Sequence, residues 1–220
     1  MWTDMAYRAV LFDLDGTLLD TLEDIASSAN RVLRRFGFPP HELEAYKYFV
    51  GDGRKALTVR ILPSGHCDAT TVAKVLACMD REYSHHWADT TRPYDGIPEL
   101  LQALTVRSIK MAVLSNKPDD SAKLTVSRLL PHWQFAVVLG TRPNVPLKPD
   151  PAAALEIAES LNMLPSEFLY LGDTDTDMET AKGAGMCPIG VLWGFRTADE
   201  LLASGAKALL RHPTDLLKIL

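Results

Sequence analysis

The amino-acid sequence predicts an α/β fold with a parallel sheet, helices on both of its faces and a separate helical domain inserted into it. Three observations support this prediction. Short apolar runs of strand length end in polar residues, segments of helical periodicity lie between the runs, and residues 21–91 show helical periodicity alone. Because alternating strands and helices favour a parallel sheet covered on both faces, we expect a Rossmann-like core.

The strand candidates are continuous apolar runs rather than alternating ones, as expected for strands that are buried on both faces. The clearest runs are residues 9–12, 111–114 and 168–171, and two further candidates are residues 135–139 and 189–193. The predicted helices between them are residues 95–104, 119–130, 152–161 and 176–184.

The stretch between the first strand and the rest of the core reads as a small helical domain. Apolar residues recur there at helical spacing, from Leu22 through Ala29 to Phe36. Proline and glycine punctuate the remainder, as in Gly51-Asp52-Gly53. We therefore predict a core of residues 1–20 and 92–220 and an inserted domain of residues 21–91.

Composition narrows the class of protein. The chain has 220 residues and a net charge of −5, which argues against a nucleic-acid partner. Its three cysteines have irregular spacing, so neither a disulfide framework nor a zinc site is expected, and a reducing cytoplasm fits best. No apolar stretch approaches the roughly 20 residues that span a bilayer, so no membrane partner is expected. We expect a monomer or a homodimer.

Polar residues follow the three clearest strands at the point where each run ends. They are Asp13 and Asp15, then Ser115 and Asn116, then Asp173 with Asp177. In a doubly wound sheet, ligands bind beyond the carboxyl ends of the strands, so these side chains should share one crevice. Lys148, which precedes a predicted helix, could point into the same crevice.

The expected charge of this crevice points to a cation. Four carboxylates and one lysine leave about three negative charges in a partly buried site, which is unfavourable unless a cation or protons neutralise them. All-oxygen ligands favour a hard cation, Mg²⁺ or Ca²⁺. An acidic crevice with such a cation, a lysine and small polar donors suits a phosphoryl group.

Four motifs in this order resemble the haloacid dehalogenase superfamily, in its phosphoglycolate phosphatase-like branch with a helical cap. The motifs are LFDLDGTLLD (Leu11 to Asp20), LSNKP (Leu114 to Pro118), KPDP (Lys148 to Pro151) and YLGDTDTD (Tyr170 to Asp177). The resemblance implies a Mg²⁺-dependent phosphatase that acts on a small phosphorylated metabolite, with 2-phosphoglycolate as the best guess, through an aspartyl-phosphate. Asp15 argues for phosphoryl transfer over dehalogenation, because dehalogenases lack a carboxylate at this position.

The same resemblance implies roles for individual residues. Asp13 is the nucleophile and Asp15 the general acid and base, and Lys148 balances the charge on Asp13 and the phosphoryl group. Mg²⁺ is bound by Asp13, the backbone carbonyl of Asp15 and Asp173, with support from Asp177. The implied substrate-binding residues are Thr17, Ser115, Asn116 and Lys117 in the core and Gly53 and Arg54 in the cap, where Arg54 or Lys55 could meet an anionic leaving group.

Three rival functions stay open at this point. A β-phosphoglucomutase-like phosphotransferase would keep the same core but require a bisphosphate activator. A pyrophosphatase or nucleotidase-like member would differ in the leaving group. A receiver-like module, which would not be an enzyme, would retain phosphate on Asp13, but such modules are shorter and need no acid at Asp15.

Overall fold

The computed structural model describes residues 7–220, which form two compact units. One unit contains the chain up to Leu19 together with Pro93–Leu220, and the other is Asp20–Arg92. Each division lies one residue from the boundary that the sequence predicts. The role of the second unit as a cap stays a prediction.

A six-stranded sheet forms the centre of the first unit, with the strand order β5-β4-β1-β6-β7-β8. Every neighbouring pair in it is parallel, which confirms the predicted fold class. Its strands are β1 (Ala9–Phe12), β4 (Lys110–Pro118), β5 (Val137–Thr141), β6 (Phe168–Gly172), β7 (Cys187–Val191) and β8 (Ala208–Leu210). Two short strands, β2 (Leu19–Asp20) and β3 (Arg92–Pro93), pair separately.

Helices cover both faces of the sheet, because alternate residues of each strand enter different cores. Val10 and Phe12 of β1 pack in one core, which includes apolar residues of α5 and α6. Ala9 and Leu11 pack in the other, with residues of α7 and α8. The helices of this unit are α5 (Ile97–Val106), α6 (Asp119–Leu129), α7 (Ala152–Ser160), α8 (Asp175–Ala184) and α9 (Ala198–Ser204).

The second unit is helical, with α1 (Leu22–Arg35), α2 (Leu43–Phe49), α3 (Gly53–Ile61) and α4 (Ala69–His86). Asp24, in the first turn of α1, accepts hydrogen bonds from the backbone N–H and hydroxyl groups of both Thr90 and Thr91, at 2.6–3.0 Å. This one carboxylate therefore ties the start of the unit to its end. No helix in the described part of the chain is long and apolar enough to cross a membrane.

Several boundaries differ from the prediction for local reasons. The predicted helix from residue 95 begins at Ile97, because Gly96 adopts the left-handed conformation with φ +88°. Strand β7 lies two residues earlier than predicted. The last strand, β8, was not predicted, since three residues carry too little pattern.

Candidate active site

The candidate site lies where the strand order of the sheet reverses. Strand β1 is flanked by β4 on one side and β6 on the other, and the chain reaches β6 only after it has formed β4 and β5. A crevice opens beyond the carboxyl ends of strands at such a switch point. Asp13 and Asp173 directly follow β1 and β6, and Ser115 lies in the second half of β4, so the topology brings together residues that are far apart in the sequence.

The chain turns sharply after β1. Gly16 has φ +91°, and its N–H donates to the carbonyl of Leu19 at 2.9 Å. A Cβ on Gly16 would collide with the carboxylate of Asp173. Glycine is therefore required here both for the backbone conformation and for the close approach to that carboxylate.

Lys148 connects two of the predicted carboxylates. Its ammonium group donates to Asp13 Oδ1 at 2.7 Å, to Asp177 Oδ1 at 2.6 Å and to the carbonyl of Leu114 at 3.2 Å. The lysine and both aspartates are buried. Three acceptors thus satisfy the three N–H donors of the ammonium group.

The start of α8 sets the position of Asp177. Thr174 caps the helix, and its hydroxyl and backbone N–H donate to Asp177 Oδ2 at 2.7 and 3.1 Å. This is a capping box, in which the side chain at the third helical position bonds back to the residue before the helix. The same carboxylate faces Lys148 with its other oxygen, so local helix capping also orients a site residue.

Asp173 is fully buried and held by two donors. The Thr17 hydroxyl donates to Oδ1 at 3.0 Å, and the Phe195 backbone N–H donates to Oδ2 at 2.8 Å. Burial and then the negative charge of Asp177 raise the pKa of Asp173 to about 7. Gly194 lies against this side chain so closely that a Cβ there would collide with it.

Burial also shifts the pKa values of the central ion pair. Burial raises the pKa of Asp13 well above its usual value, and the ammonium of Lys148 only partly opposes this shift. Burial alone would lower the pKa of Lys148, but Asp13 and Asp177 raise it well above normal. The lysine is therefore a permanent cation in this site.

Lys117 and Asp15 form a second ion pair at 3.0 Å, and both side chains are largely buried. Ser115 Oγ accepts a hydrogen bond from the Lys117 backbone N–H at 3.1 Å. The side chain of Asn116 bonds to the backbone of Lys148 through both its amide nitrogen and its Oδ1. The structure thus brings the nine predicted core residues together, with Asp13 and Lys148 among them and Thr17 joined to the others through Asp173.

A bulge in β4 turns Ser115, Asn116 and Lys117 towards this crevice. Leu114 pairs with Leu139 of β5, but the next pair is Pro118 with Thr141, so three residues of β4 oppose one of β5. The opposing residue is Gly140, where a Cβ would lie 2.5 Å from the Lys117 carbonyl oxygen. The predicted strand ended at Leu114 because apolar periodicity stops there, whereas the strand resumes pairing after the bulge.

The residues present fit a hard divalent cation. One carboxylate oxygen from each of Asp13, Asp173 and Asp177 lies within 4.8 Å of the other two. Carboxylate oxygens are the ligands that Mg²⁺ takes in proteins, and the closeness of these three makes them a candidate group to hold one ion. Four carboxylates and the two lysines leave two negative charges, and burial followed by the charge of Asp177 raises the pKa of Asp173. The side chain of Asp15 is not part of this group.

The predicted cap residues lie in the second unit. Gly53 begins α3, and Arg54 follows it with an exposed guanidinium that donates to Asp80 Oδ2 at 2.6 Å. Lys55 is also exposed. Their roles towards a substrate stay predictions.

Three residues of the site were missed at the sequence level. The hydroxyl of buried Tyr170 lies 3.4 Å from Asp177 Oδ1, Trp193 Nε1 donates to the Thr17 carbonyl at 2.9 Å, and Phe195 binds Asp173. The loop after β7 provides the last two. The sequence signal that could have identified this loop is its position after a predicted strand, since loops at the carboxyl ends of strands face the crevice.

Known proteins with similar sequences and structures are named as phosphatases. The chain is 33% identical to a phosphoglycolate phosphatase of Pseudomonas putida, over 86% of this chain and 70% of the relative. It is 31% identical to an N-acetylmuramic acid 6-phosphate phosphatase of Pseudomonas aeruginosa, over 98% and 96% of the two chains. A crystal structure from Lactobacillus delbrueckii subsp. bulgaricus, of a protein assigned as a phosphoglycolate phosphatase, superposes with a TM-score of 0.90 at 29% identity, over 96% and 97% of the chains.

The family model for haloacid dehalogenase-like hydrolases matches residues 10–191, a span that contains all four sequence motifs. Together with the relatives, this match confirms the predicted resemblance and the predicted enzyme class, a phosphatase. The chain belongs to the haloacid dehalogenase-like hydrolase family.

Proposed function

We propose that this phosphatase hydrolyses a small phosphomonoester with the help of Mg²⁺, through an aspartyl-phosphate on Asp13. The observation that carries the proposal is the placement of the Lys148 ammonium between Asp13 and Asp177, 2.7 and 2.6 Å from their oxygens, beside the carboxylate of Asp173. The proposed nucleophile, a fixed cation and the oxygens proposed to bind the metal thus lie together beyond the carboxyl ends of the central strands.

In the first step, a carboxylate oxygen of Asp13 attacks phosphorus and the ester P–O bond breaks. Asp15 donates a proton to the departing alkoxide, and as a carboxylate it then removes a proton from the water that attacks the aspartyl-phosphate. Phosphate leaves and Asp13 is regenerated. Lys148 holds Asp13 in one orientation throughout. Mg²⁺, held by Asp13, Asp173 and Asp177, would supply positive charge to the phosphoryl oxygens.

The ion pair between Asp15 and Lys117 has to open before Asp15 can protonate a leaving group. Lys117 Nζ, 3.0 Å from Asp15 in the structure, would then turn to the substrate. This exchange of partners supports the predicted substrate-binding role of Lys117, because an anionic substrate competes with Asp15 for the same ammonium.

For the leaving group, we favour an alcohol that carries a carboxylate, and 2-phosphoglycolate is the first candidate. Phosphoglycolate and N-acetylmuramic acid 6-phosphate, which the two relatives' names specify, are both phosphomonoesters of this kind. N-acetylmuramic acid 6-phosphate is therefore the second candidate. Arg54 and Lys55 are the cationic residues that we propose to meet the carboxylate.

Phosphate release from both candidates, glucose 1-phosphate, a nucleotide and pyrophosphate, with and without Mg²⁺, tests the reaction. We expect Mg²⁺-dependent release in the wild type and its loss in Asp13→Asn. Asp175→Asn, which alters an exposed carboxylate of the same motif set, is the matched control. Hydrolysis by Asp13→Asn would exclude the aspartyl-phosphate, and dependence on a bisphosphate activator would favour the mutase.

The leaving-group proposal has its own test, a comparison of 2-phosphoglycolate with 2-hydroxyethyl phosphate, which lacks the carboxylate. We expect the ratio of their kcat/KM values to fall in Arg54→Ala or Lys55→Ala, and to stay unchanged in Lys74→Ala, which removes an exposed charge from α4. An unchanged ratio in both cap variants would exclude these residues as the carboxylate partners.

A further inference from the structure

We infer that Asn116 is a positioning residue that holds the backbone of Lys148, and through it the ammonium group at Asp13. The inference rests on the proposed function, because it assigns to Lys148 the task of orienting the nucleophile.

The contact between the two residues is reciprocal. The Asn116 amide nitrogen donates to the Lys148 carbonyl at 3.1 Å, and the Lys148 backbone N–H donates to Asn116 Oδ1 at 3.0 Å. Both ends of one side-chain amide are therefore engaged by a single residue. An aspartate, serine or alanine could not form this pair, since none supplies a donor and an acceptor in the same planar group.

Strand β4 binds Lys148 both at its backbone and at the end of its side chain. Asn116 binds its backbone, and the carbonyl of Leu114 accepts a hydrogen bond from its Nζ at 3.2 Å. The bulge in β4 makes this possible, because it removes Asn116 from the ladder with β5.

Such a double attachment matters because lysine is flexible. A lysine side chain is a flexible four-carbon stem, and its donors are not arranged in a rigid fork. The segment that carries Lys148 belongs to no strand, and α7 begins four residues later, at Ala152. Without Asn116, Lys148 would therefore depend on the contacts of its ammonium group to hold its place. A displacement of about 1 Å in a catalytic group can reduce a rate about 100-fold.

The test compares Asn116→Ala and Asn116→Asp with Asn30→Ala. Asn30 is a matched control, because its amide makes the same reciprocal pair with the backbone of His41, at 2.9 and 2.9 Å, in the second unit. The substrate is p-nitrophenyl phosphate with Mg²⁺, and the readouts are kcat, KM, the melting temperature and the crystallographic distance between Lys148 Nζ and Asp13 Oδ1.

We expect kcat to fall about 10- to 100-fold in both Asn116 variants. KM should change less than about threefold, and the distance should lengthen beyond hydrogen-bond reach from 2.7 Å. Asn30→Ala should lower the melting temperature without this loss of kcat. Asn116→Asp keeps the shape and the acceptor, so a folded Asp variant with the same defect identifies the lost donor as the cause.

An unchanged kcat in a folded Asn116 variant, or an unmoved Lys148 in its crystal structure, would overturn the inference. An equal fall of kcat in Asn30→Ala would also do so, because it would point to general destabilisation. Absence of phosphatase activity in the wild type would instead overturn the proposed function. The distance in the Asn116 crystal structures would still test whether Asn116 positions Lys148.

Discussion

Replacing Asp173 with Asn should remove a pH-dependent loss of stability from the metal-free protein. Asp173 is fully buried, and burial together with Asp177 raises its pKa to about 7, compared with 3.8 for an unperturbed aspartate. The folded protein thus keeps a proton that the unfolded chain has lost. Stability is therefore highest below the unfolded pKa and falls as the pH rises towards the folded pKa.

The size of the effect follows from the two pKa values. A difference of about 3 pH units at about 1.4 kcal/mol each amounts to about 4 kcal/mol, developed between pH 4 and 7. Mg²⁺ should oppose this loss, because a bound cation favours the ionised carboxylate. A ligand that binds only the folded state stabilises it by about 2.7 kcal/mol at 100 times its dissociation constant.

Urea unfolding at pH 5 and pH 8, with EDTA or with Mg²⁺, measures these quantities. The wild type without metal should lose more stability between the two pH values than Asp173→Asn, and Mg²⁺ should stabilise the wild type at pH 8 more than the variant. Asp175→Asn should behave like the wild type, because its carboxylate is exposed. The same pH dependence in wild type and Asp173→Asn would refute the reasoning.

Three other substitutions test the packing around the site and the inserted unit. Gly194→Ala should destabilise the protein by about 1–3 kcal/mol and abolish Mg²⁺-dependent activity, since its Cβ would collide with Asp173. The control for urea unfolding and phosphate release is Gly183→Ala in α8, whose added Cβ would lie 3.3 Å from its nearest neighbour, Pro151. Gly140→Ala should lower kcat, because its Cβ would press on the Lys117 carbonyl and shift the bulge of β4; an unchanged kcat would contradict the proposed importance of this close approach. Asp24→Asn should reduce stability at pH 7 by about 1.5–3 kcal/mol in urea unfolding. Burial alone would raise the pKa of Asp24, but hydrogen bonds from Thr91 and Thr90 lower it below 3.8. The advantage of the wild type should therefore decline as the pH falls below 3.8 towards the lowered pKa, and an advantage that does not decline on acidification would contradict this account.

The sequence predicted best those elements whose pattern is local. The run 9–12 is strand β1 without change, because four apolar residues between polar neighbours leave few alternatives. The sequence also predicted that the carboxylates of Asp13 and Asp173 lie close together. Alternating strands and helices indicate parallel strands, and the carboxyl ends of parallel strands lie on the same side of the sheet. The order of the four motifs then indicated a family resemblance, which implied roles for residues such as Lys117 and Lys148 that the carboxylates alone would not identify.

The remaining features depend on contacts that no periodicity encodes. To predict the bulge at residues 115–117, one would have to know that β5 lies beside β4 and that Gly140 of β5 opposes these residues. The bond from Phe195 to Asp173 uses a backbone N–H, which every residue except proline has, so no residue type marks it. For the same reason, the binding of Asn116 to the backbone of Lys148 could not be read from the sequence.

The contact of Asp24 with Thr90 and Thr91 has a consequence for how this chain could be altered. Because the first turn of α1 and the two threonines near the end of the inserted unit meet at a single carboxylate, this contact holds the two ends of the unit beside each other. A chimera that replaces the helices between them should therefore keep the host fold if the new insert preserves this junction.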